Sequence, residues 1–380
     1  MIRVLIADDS AFMRKVLSDL FTEAPDFEVA GVAFNGKDAV EKALRLKPDL
    51  LTMDVNMPVM DGLQALEVIM KDCPLPVVML SSLTKEGADA TIKALALGAV
   101  DFLSKTGGSI SRIDTIAPDI LAKCRSAASA NIHFMPKNRI LAEKKQEPPI
   151  FKRINIPERK KISPPPVTTT PYGKSAMKPH VIPTYSSSAG TGHRLVAIWT
   201  STGGPRALQA VVTKLPRSLP CGVVIVQHMP AGFTKSLAER LDSISEVSVK
   251  EAEDHDIIKA GHVYIAPGNY HMTVRNSGGI PEISLNQDPP LGSHRPAVDV
   301  LFDSLVPFGR DLVSVILTGM GCDGSAGMQK IKRAGGYIIA ESEATAVVYG
   351  MPKAVVDLGI ADEVLPVQQV ASAIVNAVKK

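Results

Sequence analysis

Short apolar runs alternate with amphipathic stretches along most of this chain. In the first third, Val4 to Ala7, Leu50 to Met53, Val77 to Leu80 and Val100 to Leu103 have the length and aliphatic content of strands buried on both faces. Helical patterns such as Ala11 to Phe21 and Leu63 to Met70 separate them. From Leu195 the alternation resumes, with strands predicted at Leu195 to Ile198, Val223 to Gln227, Val263 to Ala266, Val313 to Thr318 and Tyr337 to Ala340. Helices are predicted at Arg206 to Lys214, Thr234 to Leu241, Val298 to Leu305, Ala326 to Ala334 and Val367 to Val378. Such alternation predicts an α/β fold, with parallel sheets covered on both faces by helices. The two halves show no similarity to each other.

The pattern breaks in the middle. Between Pro136 and Pro183 lie ten of the 28 prolines, and Arg125 to His193 carries twelve Lys or Arg against three Glu. That local +9 leaves −6 on the rest, so the formal net charge of +3 describes neither part. A segment so poor in apolar residues cannot offset the entropy of ordering it, and it reads as an extended linker. The expected domains are residues 1–122, a linker at 123–192, and residues 193–380. With 380 residues, 45% hydrophobic and 21% charged, the chain is long enough for two or three ordinary globular domains. Cys73, Cys124, Cys221 and Cys322 have neither metal-ligand nor disulfide spacing, which suits a reducing compartment. No signal-peptide layout and no membrane-length apolar run is present, so a soluble, cytoplasmic protein without membrane insertion is expected.

In an open parallel sheet, ligands sit at the carboxyl ends of the strands. Four polar features of the first half fall there: Asp8 and Asp9, Asp54, Ser81 with Ser82, and Lys105. Three carboxylates converging in one crevice repel, and a hard divalent cation, magnesium, relieves that repulsion. Lys105 adds a second positive charge opposite Asp54. Around the central acid runs Asp54-Val55-Asn56-Met57-Pro58-Val59-Met60-Asp61-Gly62. This half, from about residue 2 to 122, resembles the flavodoxin-like receiver domain of two-component response regulators. The resemblance implies that Asp54 is the phospho-acceptor, Asp8 and Asp9 the acidic pair, Lys105 the conserved-type lysine, Ser81 the hydroxyl position and Phe102 the switch aromatic. It further implies that Asp9, Asp54 and the carbonyl of Asn56 hold Mg2+. Thr106 departs from the proline often found after the lysine.

In the second half, Thr200-Ser201-Thr202-Gly203-Gly204-Pro205 joins a strand to a helix start, where unpaired N–H groups and the helix dipole favour a developing anion. Alone, the loop fits a phosphate cradle, a nucleophile beside an oxyanion site, or a plain structural turn. The next strand runs into His228, with His271 and His294 as further neighbours, and a later one into Gly319-Met320-Gly321-Cys322-Asp323-Gly324. Serine, histidine and aspartate thus each follow a strand at one sheet edge, a set suited to nucleophilic acyl chemistry. Their chain order differs from that of α/β-hydrolases, which predicts a distinct doubly wound parallel-sheet hydrolase domain.

Together with Gln227-His228-Met229-Pro230, Tyr264-Ile265-Ala266-Pro267-Gly268, Arg295-Pro296-Ala297-Val298-Asp299 and Gly350-Met351-Pro352, these segments resemble the catalytic domain of chemotaxis protein-glutamate methylesterases, the CheB family. The resemblance implies Ser201 as nucleophile, His228 as general base, Asp323 as its orienter and the Met320 amide as oxyanion donor. It implies hydrolysis of glutamate γ-methyl esters on methyl-accepting chemotaxis receptors, with deamidation of receptor glutamines, no cofactor for the esterase step, and a chemotaxis histidine kinase as phosphodonor. The unphosphorylated receiver is expected to pack over the active-site edge. Trp199 is the chief departure, since the family usually has a small residue there; an indole two residues before the nucleophile is expected to crowd the site or change how the edge is covered. The competing function is a receiver-controlled, non-enzymatic receptor-docking module with a disabled site. A nucleic-acid output finds no support beyond the basic linker, which lacks a helix-turn-helix pattern.

Overall fold

The computed structural model describes residues 1–105, 110–132, 194–277, 280–291 and 295–379. Most of the expected linker, Thr106 and His294 therefore lie outside the described residues.

The first half runs β1 (Ile2–Ala7), α1 (Ala11–Glu23), β2 (Phe27–Ala33), α2 (Gly36–Leu46), β3 (Leu50–Asp54), α3 (Gly62–Asp72), β4 (Val77–Ser82), α4 (Lys85–Leu97), β5 (Asp101–Lys105) and α5 (Ile110–Ala128). Helix α5 thus continues six residues past the expected boundary at 122. The strands pair in parallel in the order β2-β1-β3-β4-β5. Polar residues punctuate the apolar runs where helices begin. Ser10 caps α1 by accepting from Met13 N, and Asp61 with Gln64 forms a reciprocal capping box on α3.

The second half runs β6 (Leu195–Thr200), α6 (Gly204–Val212), β7 (Gly222–Gln227), α7 (Phe233–Asp242), β8 (Ser248–Glu251), β9 (His262–Ile265), β10 (His271–Ser277), β11 (Ile280–Asn286), α8 (Val298–Leu305), β12 (Leu312–Ile316), α9 (Ser325–Arg333), β13 (Tyr337–Glu341), α10 (Met351–Asp357), β14 (Glu363–Leu365) and α11 (Val367–Ala377). Seven strands form a parallel sheet in the order β14-β13-β12-β6-β7-β9-β8, and β10 with β11 makes a separate antiparallel hairpin. The α/β, doubly wound architecture expected of both halves is present. The sequence pattern did not announce the hairpin.

Alternate residues of the buried strands feed different cores. On one face of the second sheet, Val196, Ile198, Val223 and Ile225 pack under α6, α7 and α11, while Leu195, Ala197, Trp199 and Val224 face α8 to α10. The first of these cores is continuous with the α2 to α4 face of the first sheet. The two halves accordingly belong to one compact unit. At the junction Phe102 of β5 stacks on Phe233 of α7, ring centroids 4.6 Å apart and planes inclined by 19°. Both rings are buried, a gain of roughly 1.5 to 3 kcal/mol for each side chain taken out of water.

Candidate functional site

Two polar clusters occupy the carboxyl edges of the two sheets. In the first, Asp8 follows β1 and Asp54 ends β3, the neighbouring strands between which the strand order reverses. Lys105, at the end of β5, reaches both: its Nζ is 2.8 Å from Asp8 Oδ2 and 2.8 Å from Asp54 Oδ2. Burial pushes the Asp54 carboxyl above the usual aspartate range, against the opposing pull of Lys105. Burial alone would lower Lys105, but its bonds to Asp54 and Asp8 outweigh this and raise it. Oxygens of Asp8, Asp9 and Asp54 all lie within 4.8 Å of one another. Converging hard oxygen donors of this kind suit a small divalent cation.

The remaining receiver candidates lie nearby with different roles in the packing. The backbone of Asn56 hydrogen-bonds to Asp54, a contact that favours the ionised carboxylate. Ser81 is buried and donates from Oγ to Gly87 O at 2.9 Å, so its hydroxyl is engaged with the start of α4. Phe102 is committed to the junction with Phe233.

In the second cluster the ladder sets the neighbours. Thr200 pairs with Gln227 and Trp199 with Ile316, so the residues that follow, Ser201, His228 and the loop from Leu317, emerge side by side. Here too the strand order reverses, between β6 and β12. Ser201 N–H donates to Thr318 O at 3.0 Å, and His228 N–H to Thr200 O at 3.4 Å. His228 Nε2 lies 3.0 Å from Asp323 Oδ2. Asp323 Oδ2 also accepts from Val298 N–H at 3.4 Å, while Asp299 Oδ1 takes Gly327 N–H at 2.9 Å. The Arg295–Asp299 segment is therefore the cradle of the aspartate loop. Gly319 is required by close approach: a Cβ there would sit 2.1 Å from Met351 Sδ and 3.0 Å from Ser201 Cβ. Met320, next in the chain, is 39% exposed at the rim. Ser201, His228, Asp323 and Met320 are thus brought to one edge.

His271 is not part of this cluster. It is wholly buried at the start of β10, where Nδ1 accepts from Ala297 N–H and Nε2 faces Pro289 O, the arrangement of a satisfied core histidine. Trp199 corrects a second expectation. Its indole is fully buried in the core beneath α8, edge-on to Phe302 with centroids 3.8 Å apart and with Nε1 under Gly324, so it supports the aspartate loop from below and leaves the surface of the edge uncovered. The disabled-site alternative loses the residue on which it rested.

Four polar residues of the site carried no signal strong enough to single them out. Thr318 Oγ1 donates to Thr202 O at 3.0 Å and accepts from Val348 N–H at 2.9 Å, tying three loops together. Glu341, 1% exposed at the end of β13, accepts from Thr318 N–H at 2.8 Å and Thr345 Oγ1 at 2.9 Å, and burial pushes it up to about 7. Gln227 donates to two main-chain carbonyls of the edge. Asp101 comes from the first half: its Oδ2 accepts from Thr202 Oγ1 at 2.6 Å, one residue after Ser201. Beside it Gly203 N–H donates to Val100 O at 3.2 Å.

Fold and edges together define a response-regulator receiver coupled to a doubly wound hydrolase half. Comparison with known proteins agrees: residues 196–374 match the family model for CheB methylesterase, and residues 4–116 that for the response regulator receiver domain. A protein-glutamate methylesterase/protein-glutamine glutaminase of Symbiobacterium thermophilum is 48% identical over 379 residues, covering 99% of this chain and 97% of the relative. That of Thermotoga maritima is 43% identical, covering 99% and 98%. The crystal structure of the Thermotoga maritima CheB methylesterase catalytic domain is 46% identical over 49% of this chain and 99% of its own, with a TM-score of 0.48. The chain belongs to the CheB methylesterase family, in the form with an N-terminal receiver domain. Among the described residues, no helix is long and apolar enough to cross a membrane.

Proposed function

We propose that this chain is a cytoplasmic chemotaxis methylesterase that hydrolyses glutamate γ-methyl esters of methyl-accepting receptors to glutamate and methanol, deamidates receptor glutamines, and is switched by phosphorylation of Asp54. The observation that carries the chemistry is the convergence of Ser201, His228 and Asp323 where the strand order reverses. The position of Asp323 beside Nε2 supports proton exchange with Ser201 through Nδ1 of His228. Ser201 Oγ bonds to the ester carbonyl carbon as its proton passes to His228, and the Met320 N–H stabilises the oxyanion that forms. The C–O bond to the leaving group then breaks, and methanol departs with the proton returned by His228. Water, deprotonated by the same imidazole, releases glutamate and regenerates the serine; a glutamine follows the same course with ammonia as leaving group.

In the receiver, Asp9, Asp54 and the Asn56 carbonyl would hold Mg2+, which supplies charge neutralisation to the incoming phosphoryl group. Asp54 provides the accepting oxygen, and Lys105 pairs with the new charge. A chemotaxis histidine kinase is the phosphodonor. The contacts Phe102–Phe233, Asp101–Thr202 and Val100–Gly203 support a resting state in which the receiver grips the loop of the nucleophile. A charged, newly hydrogen-bonded Asp54 biases that arrangement.

The decisive test is methanol release from methylated receptor by the full chain and its Ser201→Ala variant. Loss of roughly 10⁴-fold or more is expected; undiminished release would defeat the triad.

A further inference from the structure

Gln227 closes β7 immediately before His228 and is 2% exposed. Its Nε2 donates to the main-chain carbonyl of Ser201 at 3.0 Å and to that of His228 at 3.3 Å. One NH2 group therefore spans the loop of the nucleophile and the loop of the base. The ladder itself is weak here: the bond from His228 N–H to Thr200 O has lengthened to 3.4 Å where β6 and β7 part. Past that point, the Gln227 amide still links the two loops.

The other end of the amide points the same way. Gln227 Oε1 is buried without a hydrogen-bond partner among the described residues. It lies over Gly204, where a Cβ would come within 2.0 Å of it and 2.3 Å of Thr200 Oγ1, so α6 starts with a glycine to make room. A buried, unanswered acceptor costs stability, and an apolar side chain of equal length would remove that cost. What retains the amide is its Nε2.

We propose that Gln227 is a positioning residue for the hydrolysis, fixing the nucleophile loop against the general base by bonding both main chains from one side-chain amide. The proposal rests on the assignment of Ser201 and His228 above. Proton transfer demands a heavy-atom approach of about 2.6 to 3.2 Å, and displacement by about 1 Å is enough to cost about 100-fold in rate.

The test measures kcat and KM for methanol release from a methylated chemoreceptor fragment, with the full chain activated by acetyl phosphate and magnesium, alongside thermal melting. Gln227→Met removes both donors and the unanswered acceptor at constant length. Its kcat per folded molecule is expected to fall about 100-fold, with KM within about twofold; the two lost bonds to Ser201 O and His228 O lower the melting temperature as well. A packing role alone would lower melting and leave kcat per folded molecule unchanged. Gln227→Glu supplies a donor only while protonated, so its rate relative to wild type is expected to fall as pH rises; the new carboxylate also acts on the adjacent His228, so the ratio is read together with that of Gln227→Met. Wild-type kcat per folded molecule in Gln227→Met overturns the proposal. With Ser201→Ala inactive in the same assay, that failure leaves the triad standing; release by Ser201→Ala would remove the triad and the positioning role together.

Discussion

The two carboxyl edges stand at equivalent places in their sheets, each where the strand order reverses, and they are prepared for chemistry in opposite ways. The receiver edge concentrates charge in advance: three carboxylates with oxygens within 4.8 Å, answered by Lys105 at 2.8 Å from two of them. Phosphoryl transfer starts from ions, so the site must already neutralise them. The hydrolase edge is built from main-chain amides, close-packed glycines and a neutral side-chain amide, with the His228–Asp323 contact at its rim. Its buried Glu341 is held toward the neutral form. Acyl transfer creates its charge only in the transition state, and donors fixed beforehand serve it best. Substitutions at the first edge should therefore abolish occupancy, and those at the second should reduce rate with little effect on binding.

The sharpest break would come from Asp54→Ala. Labelling by acetyl phosphate with magnesium should vanish, and the stimulated esterase rate should equal the basal one; a variant that still labels would move the phospho-acceptor elsewhere. Next in size, Asp323→Ala should lower kcat by roughly 10³- to 10⁴-fold with KM nearly constant. If KM rises while kcat holds, the second edge is a binding site and the contrast collapses. Asp101→Ala tests the link between the two halves: Asp101 starts β5, at the opposite end of that strand from Lys105, and accepts from Thr202 beside Ser201. Losing a charge-assisted bond worth about 1.5 to 3 kcal/mol from the resting interface should raise the unphosphorylated rate about tenfold or more and shrink the response to phosphodonor. An unchanged basal rate would mean that the receiver's grip on Thr202 does not restrain the enzyme.

A last prediction concerns stability rather than rate: burial raises the Glu341 carboxyl from 4.5 to about 7. The folded chain holds this proton more tightly than the unfolded one, so its stabilising contribution is complete below about pH 4.5 and fades as pH rises through 7. Relative to Glu341→Gln, the wild type should lose roughly 3 kcal/mol across that interval. Urea melts of both proteins at pH 5 and pH 8 measure it, and parallel stabilities would show that the carboxyl is not held neutral.

Much of this architecture could be anticipated because buried parallel strands read as apolar runs that stop abruptly at a polar residue. Asp54 after Met53, Ser201 after Thr200 and His228 after Gln227 all stand at such stops, so the two edges were visible together with their candidate residues. The hairpin β10 and β11 escaped notice because its inward residues, Met272, Val274 and Ile283, alternate with polar ones in short stretches that no single window distinguishes from loop. Trp199 misled for a related reason: a strand residue shows its period but not which helix layer lies over its face, and here that layer has room for an indole against Phe302. Gln227, Glu341 and Asp101 look like ordinary polar residues at strand ends. Their partners, at Ser201, Thr318 and Thr202, lie tens to more than a hundred residues away, and the fold alone brings them together.

The bond between Asp101 and Thr202 spans the two halves, and any coupling carried through it runs both ways. If phosphorylation of Asp54 releases Thr202, as proposed, then a receptor segment that seats at Ser201 only after that release favours the phosphorylated receiver by the same free energy. On that reading, encounter with substrate is itself a signal to the receiver.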